Sequence, residues 1–305
     1  MEQKKIFRYL KYITVTVLAV LTGFVSLLVL SVLTLRWTDP FTTSFILQEK
    51  WVELETERYN LRDWWVPDSE LPDHLKWAVI ASEDQLFYEH HGFDIEAIKE
   101  ALEERREGRR NRGASTITQQ TAKNLYLWPE PSFFRKGIEA FITLLIEFFW
   151  TKDRILEVYL NIAEFGPGLF GAGKASDVLF SVNPSQLEPE MSARLAAVLP
   201  SPRRMRVEPP SPFALERSRW VLRQMTQLSG IAYLPADTLE QIDEIDPFTG
   251  DSLSILLEEA SQSVSRTDSV NIQSGPDSIF LNNNSDTLIR TINNDTLPAI
   301  TDTIP

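Results

Sequence analysis

Residues 79–94, VIASEDQLFYEHHGFD, close an apolar run with an acidic pair, two aromatics and adjacent histidines. Read as the end of a helix over 72–90, the stretch puts Glu83, Phe87 and His90 at i, i+4 and i+7, on one face. Trp77, Val79 and Ile80 make the preceding turns apolar, so the helix is expected to be buried before Glu83 is reached. Desolvation disfavours the charged form of a carboxylate placed there, which suits it to act as a general base near neutrality. A structural glutamate held by a neighbour fits this segment equally well. His90 and His91 lack a third well-spaced histidine or any cysteine, so they do not read as metal ligands. Gly92 reads as the glycine just past a helix end.

Working outward, helical periodicity recurs at 94–108, 115–127, 134–150, 152–161, 171–179, 189–199 and 212–228. Ser211 followed by Pro212 supplies a cap and a proline at the first helical position. Residues 45–59 read as a further helix and 60–72 as an irregular, proline-bounded connector. Only 158–165, VYLNIAEF, approaches a strand, and its alternation is not clean. The expected fold is therefore mostly α, with neither a Rossmann sheet nor a barrel.

Residues 12–35 are 24 positions without a charge, preceded by Lys4, Lys5, Arg8 and Lys11. That length crosses a bilayer core with some tilt, and the basic flank places residues 1–11 in the cytoplasm and everything after Arg36 outside. A signal peptide is the competing reading. The run is longer than a usual signal core and has no clear small-x-small site before Trp37, which favours an uncleaved anchor. Net charge is -13 and there is no cysteine, which excludes disulfides and thiol chemistry. The charge is uneven: residues 231–305 hold 13 acidic residues against Arg266 and Arg290, leaving the first 230 near neutral. Rich in Ser, Thr, Asn and Asp, that extension reads as acidic and largely disordered. The basic run RREGRRNR, 105–112, leaves an anionic ligand open for the central part, but nothing points to nucleic acid.

Three further segments carry candidate chemistry. In RGASTITQQTAKNLYL, 112–127, Ser115 can cap a helix whose one side presents Thr116, Gln119, Gln120, Lys123 and Asn124. Two glutamines, hydroxyls and a lysine near a helix N-terminus suit sugar hydroxyls and a phosphate better than they suit a solvated face, where Glu and Lys prevail. In FFRKGIEAFITLLIEFFW, 133–150, Lys136 and Glu139 are helix neighbours at i, i+3, followed by a nearly all-apolar turn sequence in which their burial is costly. The phenylalanines of this helix serve either a core or a lipid surface. In 152–176 an amphipathic helix gives way to Gly166, Gly168, Gly171 and Gly173, a pattern that serves tight turns and close helix approach, not a phosphate-binding loop.

Taken together, EDQLFYEHHG, GASTITQQTAKN, RKGIE and KDRILEVYLNIAEFG, in that order, resemble the monofunctional biosynthetic peptidoglycan transglycosylases of glycosyltransferase family 51. Ala114 stands where the family's second glycine is usual. The resemblance spans roughly 45–225, with 45–228 as the glycosyltransferase domain. It implies a lysozyme-like α-helical fold with a smaller, membrane-facing lobe behind one transmembrane helix. It also implies residence in the bacterial inner membrane, with the catalytic domain periplasmic.

Carried over motif by motif, the resemblance makes Glu83 the general base and Glu139 a second essential carboxylate. Lys123 and Lys136 would hold the donor's diphosphate, assisted by Arg135 or a divalent cation such as Mg²⁺. Ser115, Thr116, Gln119 and Gln120 would position glycan and diphosphate. Asp84, His90, Asn124, Glu157, Tyr159 and Asn161 would be scaffolding. The implied partners are lipid II, the growing glycan chain and the bilayer. The acidic extension is read either as a solvent-facing tail or as a contact for other wall-synthesis or division proteins. No S-x-x-K or K-T-G motif occurs, so transpeptidation is not expected. The competing functions are a membrane-anchored lysozyme-like hydrolase and a non-enzymatic glycan-binding scaffold. A hydrolase has no need of Lys123 and Lys136 beside a lipid-facing helix, and a scaffold would not depend on Glu83.

Overall fold

The uncharged N-terminal run folds as helix α1, Glu2–Thr34. Its stretch Ile6–Thr34, 29 residues at mean hydropathy 2.5, is long and apolar enough to cross a bilayer. Large apolar side chains from Ile6 to Leu30 point outward, while Val32 near the end is fully buried. In the computed structural model the chain is described at residues 2–52, 60–108 and 113–233. Of its two compact units, 1–258 and 259–305, the second lies wholly outside those residues. The end of the basic run and nearly all of the acidic extension also lie outside them.

The last turn of α1 leaves carbonyls with no helical donor, and side chains of the following domain supply donors. Trp150 Nε1 donates to Val32 O at 2.7 Å, and the Ser31 and Tyr126 hydroxyls lie 3.1 Å apart. Arg154 donates through Nε and Nη2 to Leu35 O and through Nη2 to Thr38 O, at 3.2, 3.1 and 2.7 Å. Its Nη1 reaches Asp39 and Glu157.

The domain is built from α2 (Ser44–Val52), α3 (Asp73–Glu83), α4 (Ile95–Arg106), α5 (Ile117–Tyr126), α6 (Phe133–Phe149), α7 (Lys152–Ile162), α8 (Ala172–Phe180), α9 (Pro189–Val198) and α10 (Pro212–Ser229). Two packing groups organise it. Helices α3, α9 and α10 pack mutually, while α5 lies against α6 and α7 with α2 across it. Seven of the ten α5 residues are buried, because the helix has neighbours on several sides. The mostly α expectation holds, and most helix bounds fall within a residue or two of it.

Three expectations are corrected. Helix α3 stops at Glu83, not at His90: Asp84 leaves helical geometry and turns follow to Gly92. Glu83, Phe87 and His90 therefore do not share a helical face. Gly92 does have positive φ, +86°, but as part of this turn region, where an added Cβ would sit 2.8 Å from Thr143 Cγ2. The ambiguous 158–165 segment splits. Val158 belongs to α7, and a two-stranded antiparallel hairpin begins beyond it, β1 (Glu164–Gly166) with β2 (Leu169–Phe170), registered Glu164 to Phe170.

The connector 60–72 is tied down despite its irregularity. Fully buried Asn161 accepts from Val66 N and donates to Val66 O, both at 2.8 Å, satisfying one connector residue at both polar groups. Gly173 lets α8 approach the same connector: a Cβ there would lie 2.2 Å from Trp64 O. Because that obstacle is backbone, Gly173→Ala forces α8 off the connector. We expect a loss of about 1–3 kcal/mol, the usual cost of overpacking, read as a lowered melting temperature of the full-length protein in detergent.

Candidate active site

The site is assembled where the last turn of α3 meets the side of α5 and the first turns of α6. Asp84 closes α3, 7 % exposed. Its Oδ2 accepts from Ile117 N at 3.0 Å, at the start of α5, and its Oδ1 meets His90 Nε2 at 2.8 Å. Gly92 N donates to His90 Nδ1 at 3.1 Å, so the ring carries its proton on Nε2 and donates it to Asp84. His90 is thus a bridge inside the loop.

Thr116, not Ser115, caps α5. It accepts from Gln119 N at 3.2 Å while Gln119 Oε1 accepts from Thr116 N at 3.0 Å, a reciprocal capping box. The Thr116 hydroxyl donates to Gly92 O. At 2 and 3 % exposure, Thr116 and Gln119 face the interior, and Asn124 is buried too. These three shape α5 from within, which corrects the expected five-residue hydrogen-bonding face. Ser115 is exposed, and its hydroxyl accepts from Lys136 Nζ at 3.2 Å.

Gln120 and Lys123 are the α5 side chains turned to the site. Gln120 Nε2 donates to Glu83 Oε2 at 2.8 Å, and Tyr159 donates its hydroxyl to Gln120 Oε1 at 3.1 Å. The tyrosine thereby fixes which way the amide points. Burial, reinforced by the Glu83 and Asp84 charges, raises the Tyr159 pKa well above its ordinary value, so it stays a donor. Glu83 Oε1 accepts from Ser82 Oγ at 3.1 Å and lies 3.9 Å from Arg217 Nη2. The Glu83 side chain is 8 % exposed. Two accepted bonds leave about half of a carboxylate's acceptor capacity unused.

A second carboxylate is held differently. Glu139, 2 % exposed, accepts from Arg135 Nη1 at 2.9 Å on Oε2 and from Lys136 Nζ at 2.5 Å on Oε1. Arg135 Nε is buried with no hydrogen-bond partner among the described residues. Lys123 joins these residues to Glu83. Its pKa is lowered, chiefly by burial, with Arg135 and Lys136 adding to the effect and Glu139 and Glu83 opposing it. Its ammonium sits 5.4 Å from the Phe45 ring centroid and makes no hydrogen bond among the described residues. Three cations against the Glu139 carboxylate leave a local charge of about +2, the complement of a dianion.

Glu157 accepts from Trp65 Nε1 and Arg154, and Asn161 clasps the connector, so both support the site from behind. Among the described residues no group of three or more His, Asp or Glu side chains could hold a metal ion, and both Glu139 oxygens already accept from cations. The donor set does not suit a protein-held divalent ion. A cavity of about 360 Å³ at the hairpin, lined by Phe165, Leu169, Val178, Met205 and Val207 among others, contains none of these residues.

Arg217 and Ser82 are the site neighbours not singled out from the sequence. A signal was present: the buried residues of α10 run Ala214, Arg217, Ser218, Val221, Leu222 and Met225, so an arginine occupies the apolar phase of an amphipathic helix.

Comparison with known proteins places the chain in a family. The transglycosylase family model matches residues 50–226. A biosynthetic peptidoglycan transglycosylase of Pseudomonas putida is 48% identical over 217 residues, covering 70% of this chain and 91% of that protein. Proteins of the same name from Ectopseudomonas mendocina and Pseudomonas aeruginosa are 50% and 47% identical, covering 85% and 93% of their lengths. With more than half of the chain inside the family model and near-complete coverage of such relatives, the protein belongs to the transglycosylase family, the enzymes that polymerise the glycan chains of peptidoglycan.

Proposed function

We propose that the chain polymerises lipid II by inverting β-1,4 glycosyl transfer, with Glu83 as general base and Lys123, Lys136 and Arg135 as the cradle for the departing diphosphate. The observation that carries the reading is the double role of α5: Gln120 holds the Glu83 carboxylate at 2.8 Å, and Lys123, one turn further on, is buried near the cluster in which Arg135 and Lys136 hold Glu139. The helix links an almost buried base with spare acceptor capacity to a cluster of net positive charge.

The acceptor's 4-OH is too weak an acid to attack unaided. As its oxygen approaches C1 of the donor sugar, Glu83 accepts the proton on an orbital that Gln120 and Ser82 leave unused. The bond from C1 to the diphosphate breaks on the opposite face, which inverts the anomeric centre without a covalent sugar–enzyme intermediate. Negative charge grows on the leaving diphosphate, where fixed cations act most strongly in a partly desolvated site. Lys136, 45% exposed, can turn from Glu139 and Ser115 toward a phosphate, and the unpartnered Arg135 Nε is a ready donor. Glu139 keeps these cations aligned.

The membrane side of the reading rests on two surfaces. Helix α1 is bilayer-length, and its basic N-terminal flank favours a cytoplasmic N-terminus with the domain outside. Helix α6 exposes Phe133, Phe134, Phe141, Leu144 and Phe148, suited to lie against lipid beside a substrate that is itself lipid-borne. Confining enzyme and substrates to one surface raises their encounter frequency.

The deciding measurement is polymerisation of lipid II by the full-length protein. Glu83→Gln should lower the rate roughly 10²–10⁴-fold, the worth of a positioned base, with an unchanged melting temperature. Lys123→Ala should lower it roughly 10²–10³-fold, comparable to losing one donor to a developing oxyanion. Release of soluble muropeptides from sacculi without any polymer would identify a hydrolase instead.

A pH prediction follows from Lys123. Its pKa is lowered, so the free enzyme loses this cation at a pH below that of an ordinary lysine. The alkaline fall of kcat/KM should therefore have its midpoint below the ordinary lysine value of about 10.4. In Lys123→Arg, whose guanidinium stays charged, that fall should move to higher pH. An unmoved alkaline limb would show that another group controls it.

A further inference from the structure

We propose that Arg217 is the positioning residue for Glu83, acting through the hydroxyl of Ser82; this rests on the reading of Glu83 as the base. Glu83 is the last residue of α3, where the chain leaves helical geometry, so helix packing alone does not fix its carboxylate. On one side the restraint is complete: Oε2 accepts from Gln120, which Tyr159 orients. On the other side Oε1 accepts, among the described residues, only from Ser82 Oγ, at 3.1 Å. A hydroxyl has one proton and a free rotor, and the Ala196 carbonyl of α9 competes for that proton at 3.0 Å.

Arg217 acts on this hydroxyl. Its Nη2 donates to Ser82 Oγ at 3.0 Å and to Ser82 O at 3.2 Å. Donation into the hydroxyl oxygen polarises the O–H bond and strengthens what the hydroxyl donates in turn. The same Nη2 lies 3.9 Å from Glu83 Oε1, near enough to favour the carboxylate by charge and too far to occupy its lone pair. The base thus gains a cation without losing acceptor capacity. Arg217 is 5% exposed in the apolar phase of α10, with Trp220 flanking its guanidinium at 5.7 Å. Burying an arginine there is unfavourable unless it has partners, and Ser82 and Glu83 are among them. The relay joins α10, α3 and α9, the packing group opposite the one that supplies Gln120 and Tyr159.

The test compares Arg217→Met, Arg217→Lys, Ser82→Ala, Ser82→Ala/Arg217→Met and Glu83→Gln in the full-length enzyme, with steady-state kinetics on lipid II and melting temperatures. Arg217→Met should lower kcat about tenfold, a fraction of what the base itself supplies, with KM within about twofold. Arg217→Lys should recover part of the loss. Ser82→Ala should lower kcat to a similar extent, and the double variant should be no worse than the poorer single, because both act through one relay. Wild-type kcat per folded molecule in Arg217→Met, or multiplicative losses in the double variant, would overturn the inference. If Arg217→Met does not fold, Ser82→Ala decides, and wild-type kcat there overturns it. An inactive Glu83→Gln beside a normal Arg217→Met removes only the relay; a fully active Glu83→Gln removes the base and the relay together.

Discussion

The Asp84 carboxylate joins three parts of the molecule that sequence separates. By accepting from Ile117 N it anchors the N-terminus of α5, where unsatisfied amides favour a negative charge. By accepting from His90 it holds the turns that follow α3. It is itself the residue at which α3 ends, so Glu83 is fixed one position earlier. Charge-assisted hydrogen bonds of this kind contribute about 1.5–3 kcal/mol each, while an unpaired buried carboxylate is strongly unfavourable. The contact between Glu83 and Gln120 follows from that junction. With α3 and α5 joined through Asp84, Glu83 meets Gln120 of α5, and Tyr159 orients that amide.

The two site carboxylates show how environment separates roles for one residue type. Glu139 accepts from two cations, one on each oxygen, and is clamped against movement. Glu83 accepts from two neutral groups, an amide and a hydroxyl, with its nearest guanidinium held beyond hydrogen-bond distance. A clamped carboxylate aligns cations and is poorly placed to take a proton. One held by neutral donors keeps its orientation and retains free lone pairs. Lys123 lies between them electrostatically, and burial makes its charge unfavourable in the free protein. A dianion bound beside it would relieve that cost.

Much of this was legible in the residue pattern. Helical periodicity located α4 to α10 because each presents an apolar stripe to a neighbour, and the four motifs located the glutamates and lysines. The errors share a cause. Phe87 continues the apolar phase of α3, so the pattern carries the helix on to His90, yet Phe87 is buried from a turn, with Lys152 over its ring. Thr116 and Gln119 resembled a ligand-facing surface because polarity alone does not distinguish a hydroxyl facing substrate from one satisfying a helix end. Arg217 and Ser82 stand 135 positions apart, and only the packing of α10 on α3 makes them neighbours. Tertiary closure decides such cases, and local pattern carries little of it.

The end of α1 extends the same logic to the membrane. A bilayer-length helix joined by a loose segment would confine the domain to a surface without orienting it. Here Trp150 and Arg154, which flank the start of α7, and Tyr126 at the end of α5 meet the final turn of α1 and the residues just beyond it. Arg154 also binds Glu157, whose backbone carbonyl accepts from Asn161, and Asn161 holds the connector leading to α3. A short chain of hydrogen bonds thus runs from the anchor's last carbonyls toward the helix that carries Glu83. The exposed phenylalanines of α6 belong to the element that α1 packs against, so anchor and apolar surface are fixed relative to each other. A lipid-borne substrate presents its diphosphate at a set height above the hydrocarbon, and a site held at fixed height meets it without a search over orientation.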